Sequence, residues 1–355
     1  MAEPFVAELC ERIRDCAAGG RKLRIRGGGT KDFYGNDGEG ELLETTGYSG
    51  IVAYEPRELV LTVRAGTALA EVERALDAER QMLAFEAPHF EAGAGRATIG
   101  GAVACGLSGP RRPYAGSVRD FVLGTRIVNG KGEDLAFGGR VIKNVAGYDV
   151  SRLMAGALGT LGVITEISFK VLPRPAAEAT LVFELDEAEA TRRANAWAGQ
   201  PLPLSGTAWQ DGRLRVRLSG SPAGVAAAKA KMGGEDAADA GDYWRDLREQ
   251  GLPFFGGEEP LWRISVPQTA EPLFPGHPQL VEWGGGVRWL RGEHDPFAIR
   301  STAERAGGHA TLFRGGDRSA GAFHPLKPAL AKIHRRLKAA FDPAGILNPG
   351  RLYDF

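Results

Sequence analysis

Glycine clusters in the first half of the sequence constrain what this chain can fold into. Fifty of the 355 residues are glycine, and tight clusters occur at residues 27–29, 100–101 and 156–162. Glycine tolerates positive φ and lets backbone N–H groups approach a ligand without an intervening Cβ. One cluster alone would indicate a tight turn. Three clusters, each close to an apolar segment, favour a nucleotide cofactor bound across several loops.

Composition excludes several broad classes of protein. With 43% hydrophobic and 25% charged residues, the chain has the composition of a globular protein with roughly two or three core-forming units. Lys+Arg and Asp+Glu each total 44, so no net charge attracts nucleic acid. The three cysteines, Cys10, Cys16 and Cys105, lack metal-ligand spacing, so we expect neither a disulfide framework nor an iron–sulfur cluster in this chain.

The N-terminus and the most apolar segment predict a cytoplasmic protein. Residues 1–20 place Glu3, Glu8 and Glu11 among apolar residues at helical spacing, which predicts an amphipathic helix and not a secretory signal. Residues 153–164 are too few and too rich in glycine to cross a bilayer. We therefore expect no transmembrane segment, and contact with the inner membrane only through a partner.

Strand and helix patterns alternate through the first half of the chain. Residues 23–26 alternate like a strand and run directly into the first glycine cluster. Residues 108–114 contain two prolines and predict an irregular surface loop, and residues 129–132 predict a hairpin turn. Further strands are predicted at 50–54, 59–63, 121–128 and 162–169, with a helix at 69–79.

The second half of the sequence has a different pattern of predicted strands and helices, and prolines at 173 and 175 mark the boundary. Short strands that alternate with helices predict an α+β layer with an antiparallel sheet. A helix over residues 326–341 and a proline- and glycine-rich tail end the sequence. We therefore predict an α+β protein divided into residues 1–173, 174–325 and 326–355. Strands are predicted at 180–185, 207–210, 214–218, 262–266, 280–283, 287–290 and 310–313, and helices at 187–198, up to 232, and at 297–306.

Several common motifs do not fit. A P-loop is rejected because Thr30 precedes Lys31, the reverse of the required order. The segment 93–98 begins like a dinucleotide fingerprint but lacks its last glycine, which leaves a Rossmann fold as a weak alternative. The six histidines show no metal-binding spacing, so no metal site is predicted, and His277, His294 and His309 are expected to lie apart.

The order and spacing of the glycine motifs are more specific than any one of them. Residues 26–31, 98–104, 108–120 and 159–166 together resemble the FAD domain of the vanillyl-alcohol oxidase, or p-cresol methylhydroxylase-like (PCMH-type), family. Nearly the whole chain, including residues 143–149, 283–286, 307–311 and 348–351, is similar to the E-type flavin subunits of bacterial glycolate oxidases within that family.

This resemblance implies a two-subdomain PCMH-type FAD domain at 1–173, an α+β cap at 174–325 and a C-terminal segment that returns to the FAD domain. The first glycine loop would hold the pyrophosphate through backbone N–H groups, and Thr98, Gly100 and Gly101 would lie along the ribityl chain and the pyrophosphate. Residues 108–116 would pass near the flavin ring, and 159–164 would cover the adenosine. The implied cofactor-binding residues are Gly27, Gly28, Gly29, Thr30, Lys31, Thr98, Ile99, Gly100, Gly101, Ser108, Gly109, Tyr114, Gly116, Gly159, Gly162, Val163 and Ile164.

Two departures from the family pattern refine the expected function. No histidine lies beside the first glycine loop, so we predict non-covalent FAD. The cap shows no histidine-rich metal site of the kind implied for D-type relatives, so catalytic residues are not assigned. Arg263, Arg291, His309 and Arg314 could meet an anionic substrate, although structural roles are favoured.

The resemblance therefore implies an FAD-dependent oxidoreductase subunit of a complex that oxidises glycolate, a small 2-hydroxy acid, to glyoxylate. Its partners would be a D-type flavoprotein subunit and an iron–sulfur subunit that takes the electrons. Two alternatives remain open: a non-catalytic FAD-containing subunit for assembly or electron relay, and a stand-alone flavin oxidase of another hydroxyacid.

Overall fold

The computed structural model describes residues 3–91, 95–139 and 148–355. Its first part contains a five-stranded antiparallel sheet, a small parallel pair of strands and the helices that cover them. The elements are α1 (Pro4–Gly19), β1 (Leu23–Arg26), β2 (Glu41–Glu44), β3 (Ile51–Glu55), β4 (Val60–Arg64), α2 (Leu69–Ala78), β5 (Gln81–Met82), α3 (Ile99–Cys105), α4 (Arg112–Ala115), α5 (Val118–Phe121), β6 (Val122–Val128), β7 (Asp134–Gly138), α6 (Val150–Leu153), β8 (Val163–Lys170) and β9 (Leu172–Pro173).

The second part is built on an eight-stranded antiparallel sheet, in the order β13-β10-β12-β11-β15-β16-β14-β17. Its elements are β10 (Ala177–Glu184), α7 (Glu187–Ala198), β11 (Leu204–Gln210), β12 (Arg213–Gly220), α8 (Pro222–Met232), β13 (Glu235–Asp236), α9 (Ala240–Glu249), β14 (Leu261–Ser265), β15 (Gln279–Glu282), β16 (Val287–Arg291), α10 (Pro296–Arg305) and β17 (His309–Arg314). The last helix, α11 (Pro328–Phe341), follows. The predicted α+β class with an antiparallel cap sheet is confirmed, and the division at residues 173 and 325 stays a proposal.

The five-stranded sheet, ordered β3-β4-β8-β6-β7, carries the core beneath the glycine clusters. The predicted hairpin at 129–132 is confirmed, because β6 and β7 pair antiparallel and the Asn129 side chain accepts hydrogen bonds from the N–H groups of Lys131 and Glu133. Amphipathic α1 buries Val6, Leu9 and Ile13 against the small parallel pair. Within the described residues, no helix combines the length and apolar character that a bilayer span requires.

Two expectations about local structure were wrong. The loop at 108–114 is not a surface loop, since Gly109 donates its N–H to the Phe85 carbonyl and the Arg111 N–H and Nε both bond to Glu86. Arg111 is therefore only 7% exposed. His277 and His294 do not lie apart, because the β15–β16 hairpin brings their rings to 5.3 Å.

Ion pairs of two buried arginines join the first part of the chain to the cap sheet. The Arg217 Nη2 of β12 donates to Glu86 at 2.9 Å, and Arg111 Nη2 donates to Glu178 of β10 at 2.7 Å. Since Glu86 and Arg111 belong to the first part and Arg217 and Glu178 to the second, this network fixes the cap sheet against the first domain.

The C-terminal tail is pinned by a buried lysine. Lys338 Nζ donates to the carbonyl oxygens of Thr160 at 2.8 Å and Leu347 at 2.7 Å, and to Asp342 Oδ2 at 2.6 Å. The Asp342 side chain is fully buried and also accepts the N–H of Leu347 at 2.8 Å. Burial lowers the pKa of Lys338, and the pairing with Asp342 opposes that shift.

We expect Lys338→Met to lower the free energy of unfolding by about 3 kcal/mol, because it leaves the Asp342 carboxylate buried without its counter-ion. Lys332→Met, on an exposed position of the same helix, is the matched control and should change stability little. Urea denaturation of the purified chain measures both. Equal unfolding free energies for the two variants would contradict this role.

Candidate functional site

Three glycine-rich segments and the C-terminal tail meet around one cleft. Its empty volume, which includes space open to solvent, is about 720 Å³. The loop after β1, the start of α3, the segment before β8 and the tail contribute the walls. The cleft is lined by Ile25, Arg26, Gly27, Gly28, Gly29, Thr30, Lys31, Asp32, Thr45, Ala65, Thr98, Gly100, Gly101, Ala104, Cys105, Leu158, Gly159, Gly162, Ile164, Asn348 and Arg351.

The loop over residues 27–31 presents a row of unused backbone donors. None of its five N–H groups has an acceptor among the described residues, and the loop is half-exposed towards the cleft apart from buried Lys31. Only glycine fits at position 28, because a Cβ there would overlap the Arg96 carbonyl oxygen. Successive unpaired N–H groups form a concave anion-binding surface, so the loop fits a phosphate or pyrophosphate.

Two cations lie beside this loop, the buried Lys31 and the half-buried Arg351. Lys31 Nζ donates to Thr30 Oγ1 at 3.3 Å and to the His89 carbonyl at 3.2 Å. Arg351 donates to the carbonyl oxygens of Asn36 at 2.6 Å and Asp32 at 2.7 Å. Burial lowers the pKa of both Lys31 and Arg351, and neither has a salt-bridge partner within the described residues. An anion in the cleft would supply the missing negative charge.

Helix α3 forms a second wall of the cleft. Thr98 caps the helix by accepting the Gly101 N–H at 3.2 Å, and the Gly100 N–H bonds to the Ala65 carbonyl at 2.8 Å. Because both N–H groups already have acceptors within the protein, this segment forms a wall of the cleft without free backbone donors. Apart from Thr98 Oγ1 at 3.1 Å, a Cβ on Gly101 would meet no atom within 4 Å.

The remaining predicted cofactor-binding residues fall into three places. Gly159, Gly162 and Ile164 line the cleft, whereas Ile99 and Val163 are fully buried in two separate hydrophobic cores. The other four lie nearer the cap. Ser108 and Gly109 line a second cavity, Tyr114 hydrogen-bonds to Thr207 of the cap at 3.4 Å, and Gly116 packs beside Asp120.

This second cavity lies between the first domain and the cap sheet, and we call it the junction cavity. Besides Ser108 and Gly109, its walls include Arg263, Glu282 and the aromatic rings of Phe90, Trp283, Trp289 and Phe313. Its empty volume is about 390 Å³.

The cleft and the junction cavity are neighbours. Lys31 Nζ, which lines the cleft, is 5.7 Å from the ring centroid of Phe90, which lines the junction cavity. A ligand that extends from the glycine loop past Lys31 would therefore reach the cap.

Asn348 and Arg351 are site residues that the sequence prediction missed. Asn348 Oδ1 accepts the Ile25 N–H at 2.7 Å and its Nδ2 donates to the Leu158 carbonyl at 2.6 Å, so one side chain connects two walls of the cleft. The Asn-Pro-Gly turn at 348–350 was a usable signal, because it marks a tail that turns at a defined position.

The four polar candidates in the cap differ in their surroundings. Arg291 donates to the Phe254 carbonyl at 3.0 Å and pairs with Glu259, and Arg314 donates to the Phe255 carbonyl at 2.7 Å. Both have structural roles, as favoured from the sequence. His309 lies at the start of β17, where partial desolvation of its imidazole lowers the pKa, with the charge of Arg263 adding to the shift. No group of three or more potential metal ligands occurs in the part of the chain that the structure describes.

Two protein families match segments of the chain. An FAD binding domain matches residues 6–138, and the C-terminal domain of FAD linked oxidases matches residues 324–352. The solved structure of p-cresol methylhydroxylase with substrate bound superposes with a TM-score of 0.69 at 15% identity, covering 98% of this chain and 87% of that one. These findings confirm the predicted FAD cofactor and the PCMH-type fold.

Two curated relatives are similar in sequence. Glycolate oxidase subunit GlcD of Bacillus subtilis is 32% identical over 132 residues, which are 37% of this chain and 27% of that protein. Glycolate oxidase subunit GlcE of Escherichia coli is 49% identical over 346 residues, which span 97% of this chain and 96% of that protein. The chain belongs to the GlcE family of FAD-binding oxidoreductase subunits.

Proposed function

We propose that the cleft holds FAD non-covalently, with the pyrophosphate on the N–H groups of residues 27–31. The observation that carries this proposal is the row of five backbone donors without acceptors among the described residues, beside the unpaired cations Lys31 and Arg351. A pyrophosphate is doubly negative and suits direct contact with backbone N–H groups. FAD, when bound, supplies a two-electron acceptor for hydride.

The rest of the cofactor would follow the other walls of the cleft. We place the adenosine towards Gly159, Gly162 and Ile164, and the ribityl chain along Thr98 and Gly101, all of which line the cleft. The flavin ring would then lie towards Ser108 and the junction cavity, because the two spaces adjoin at Lys31. Ile99 and Val163 support these walls from the hydrophobic cores.

The predicted absence of a covalent flavin bond agrees with the side chains near the first loop. No histidine adjoins the loop in the sequence, but the fold brings His89 next to it, where the His89 carbonyl accepts from Lys31 Nζ. The His89 ring is held by Glu73, with Nε2 3.0 Å from Glu73 Oε2. Cys105 lines the cleft, but burial raises the pKa of its thiol, which keeps it protonated and unreactive.

We further propose that the chain is the flavoprotein partner of a D-type subunit and an iron–sulfur subunit in a complex that oxidises glycolate to glyoxylate. The similarity to GlcE over nearly the whole chain and to GlcD over part of it supports this assignment. The whole sequence has three cysteines, too few for a four-cysteine cluster, so electrons need a partner to leave. We place the complex in the cytoplasm, with membrane contact only through its partners.

Replacing Gly101 tests the cofactor site with little disturbance of the fold. Gly101→Leu should fill the cleft and lower the FAD content of the purified chain about tenfold or more, whereas Gly101→Ala adds only a Cβ and should retain FAD. Gly28 is unsuitable for this test, because any side chain there collides with the backbone at Arg96. Flavin absorbance per protein and circular dichroism are the measurements.

Equal flavin content in the two Gly101 variants would contradict the cleft as the FAD site. In the wild-type sample, acid precipitation should release all FAD into the supernatant. A yellow pellet would show a covalent bond and overturn the non-covalent assignment.

Purification of the tagged chain from cells that also make its D-type and iron–sulfur partners tests the proposed complex. We expect the three proteins to elute together, and glycolate added without oxygen to bleach the flavin. A chain that elutes alone and oxidises another hydroxyacid with oxygen would support the stand-alone alternative. A complex whose E-type flavin stays oxidised would support the assembly role.

A further inference from the structure

The junction cavity contains an arginine without an ionic partner. The guanidinium carbon of Arg263 lies 4.9 Å from the ring centroid of Trp283 and 5.8 Å from that of Trp289. Within the described residues, its side chain forms no hydrogen bond and no salt bridge. Burial lowers the pKa of Arg263, so the protein keeps this charge against a desolvation cost.

Two buried arginines of the cap differ from Arg263 in having hydrogen-bond acceptors within the protein. Arg288 pairs with Glu187 and donates to the Ala270 carbonyl, and Arg300 donates to the Ala320 carbonyl at 2.9 Å. Each of these guanidinium groups therefore has acceptors for its Nη atoms, although the Nε atoms have none. Arg263 instead faces a cavity, where a ligand is the available partner.

A second arginine strengthens the positive field. The guanidinium carbon of Arg112, an exposed residue of α4 in the first domain, lies 4.5 Å from the ring centroid of Trp283. Arg112 does not line the cavity, and its guanidinium group forms no hydrogen bond within the described part of the chain. The charge of Arg112 adds to the lowering of the pKa of Arg263, after the larger effect of burial. Two such groups attract an anion, and the planar guanidinium fork suits a carboxylate.

Glu282 is the acidic group in the same cavity. Trp289 Nε1 donates to its Oε1 at 2.6 Å, and burial raises the pKa of Glu282 to about 7. Glu282 is therefore largely neutral below that pH and leaves Arg263 unneutralised. The charged and titratable groups around it are Arg263 on β14, Glu86 before α3, and Tyr243 and Arg248 on α9.

The walls restrict the size of the ligand. The cavity has an empty volume of about 390 Å³ and aromatic sides formed by Phe90, Trp283, Trp289 and Phe313. A small acid with its carboxylate at Arg263 would meet these aromatic rings on its other sides. A long or strongly hydrated ligand would have to place charged groups against the aromatic rings, and losing their water would cost free energy.

We propose that this chain itself binds a small 2-hydroxy or 2-oxo carboxylate in the junction cavity, held by Arg263 with help from Arg112, and that Glu282 weakens binding when it ionises. The inference deepens the proposed function and rests on it for the identity of the acid. It assigns acid recognition to this chain and not only to a D-type partner.

Calorimetric titration of the FAD-loaded chain with oxalate, a two-carbon carboxylate that the flavin cannot oxidise, tests the site. Arg263→Gln should raise the dissociation constant on the order of tenfold or more, and Arg263→Lys should fall between it and wild type. Arg213→Gln, an exposed arginine of the same sheet that lies 3.9 Å from Glu184, is the control and should bind like wild type.

The pH dependence tests Glu282 separately. Below its pKa the neutral carboxyl does not repel the ligand, so wild-type affinity should fall between about pH 6 and about pH 8 as Glu282 ionises. Glu282→Gln keeps an acceptor for Trp289 Nε1 and should bind with little change over that range. A wild-type affinity that does not change, or a variant that changes as wild type does, would overturn the role of Glu282.

Flavin content measured on the same samples separates the two hypotheses. A chain that holds FAD but does not bind oxalate, or binds it equally well after Arg263→Gln and Arg263→Lys, would overturn the junction site and leave the proposed function intact. A chain without FAD in its cleft would contradict the proposed function, whatever oxalate does.

Discussion

The row of unpaired backbone N–H groups after β1 is the constraint on which the rest of the site depends. Buried backbone donors in a folded protein are nearly always paired. A loop that leaves five donors unpaired must be held in place by contacts with other segments of the chain. The parallel pairing of β1 with β2 fixes where the loop begins, and the Arg96 carbonyl, pressed against Gly28, fixes how it turns. These two contacts place the loop with its N–H groups at the cleft, and a site that is already in place lowers the cost of binding an anion.

The C-terminal tail also holds the walls of the cleft in place. Leu347 continues the small parallel sheet beside Leu23, and Asn348 joins β1 to the segment before β8. The buried Lys338–Asp342 pair holds the tail in this position. Because the same residues stabilise the fold and shape the cleft, cofactor binding should also raise the free energy of unfolding.

Much of this could be predicted from the sequence, since it depends on local chemistry. The glycine loop, the hairpin at 129–132 and helix α7 follow from turn residues and periodicity. Helix α3 could not, because Gly100 and Gly101 disfavour helix and only packing of Gly100 against Ala65 permits it. The hydrogen bond between Ile25 and Asn348 could not be predicted either, because the two residues are 323 positions apart. The missing partner of Arg263 could not be predicted, because it depends on the tertiary structure.

Hydrogen–deuterium exchange of the flavin-free chain, measured with and without added FAD, tests the central claim most directly. The account predicts that FAD slows exchange at the N–H groups of residues 27–31, because the pyrophosphate then accepts their hydrogen bonds. The N–H groups of Gly100 and Gly101, already bonded within the protein, should change less. Unchanged exchange at 27–31 with tightly bound FAD would contradict the claim that this loop holds the cofactor.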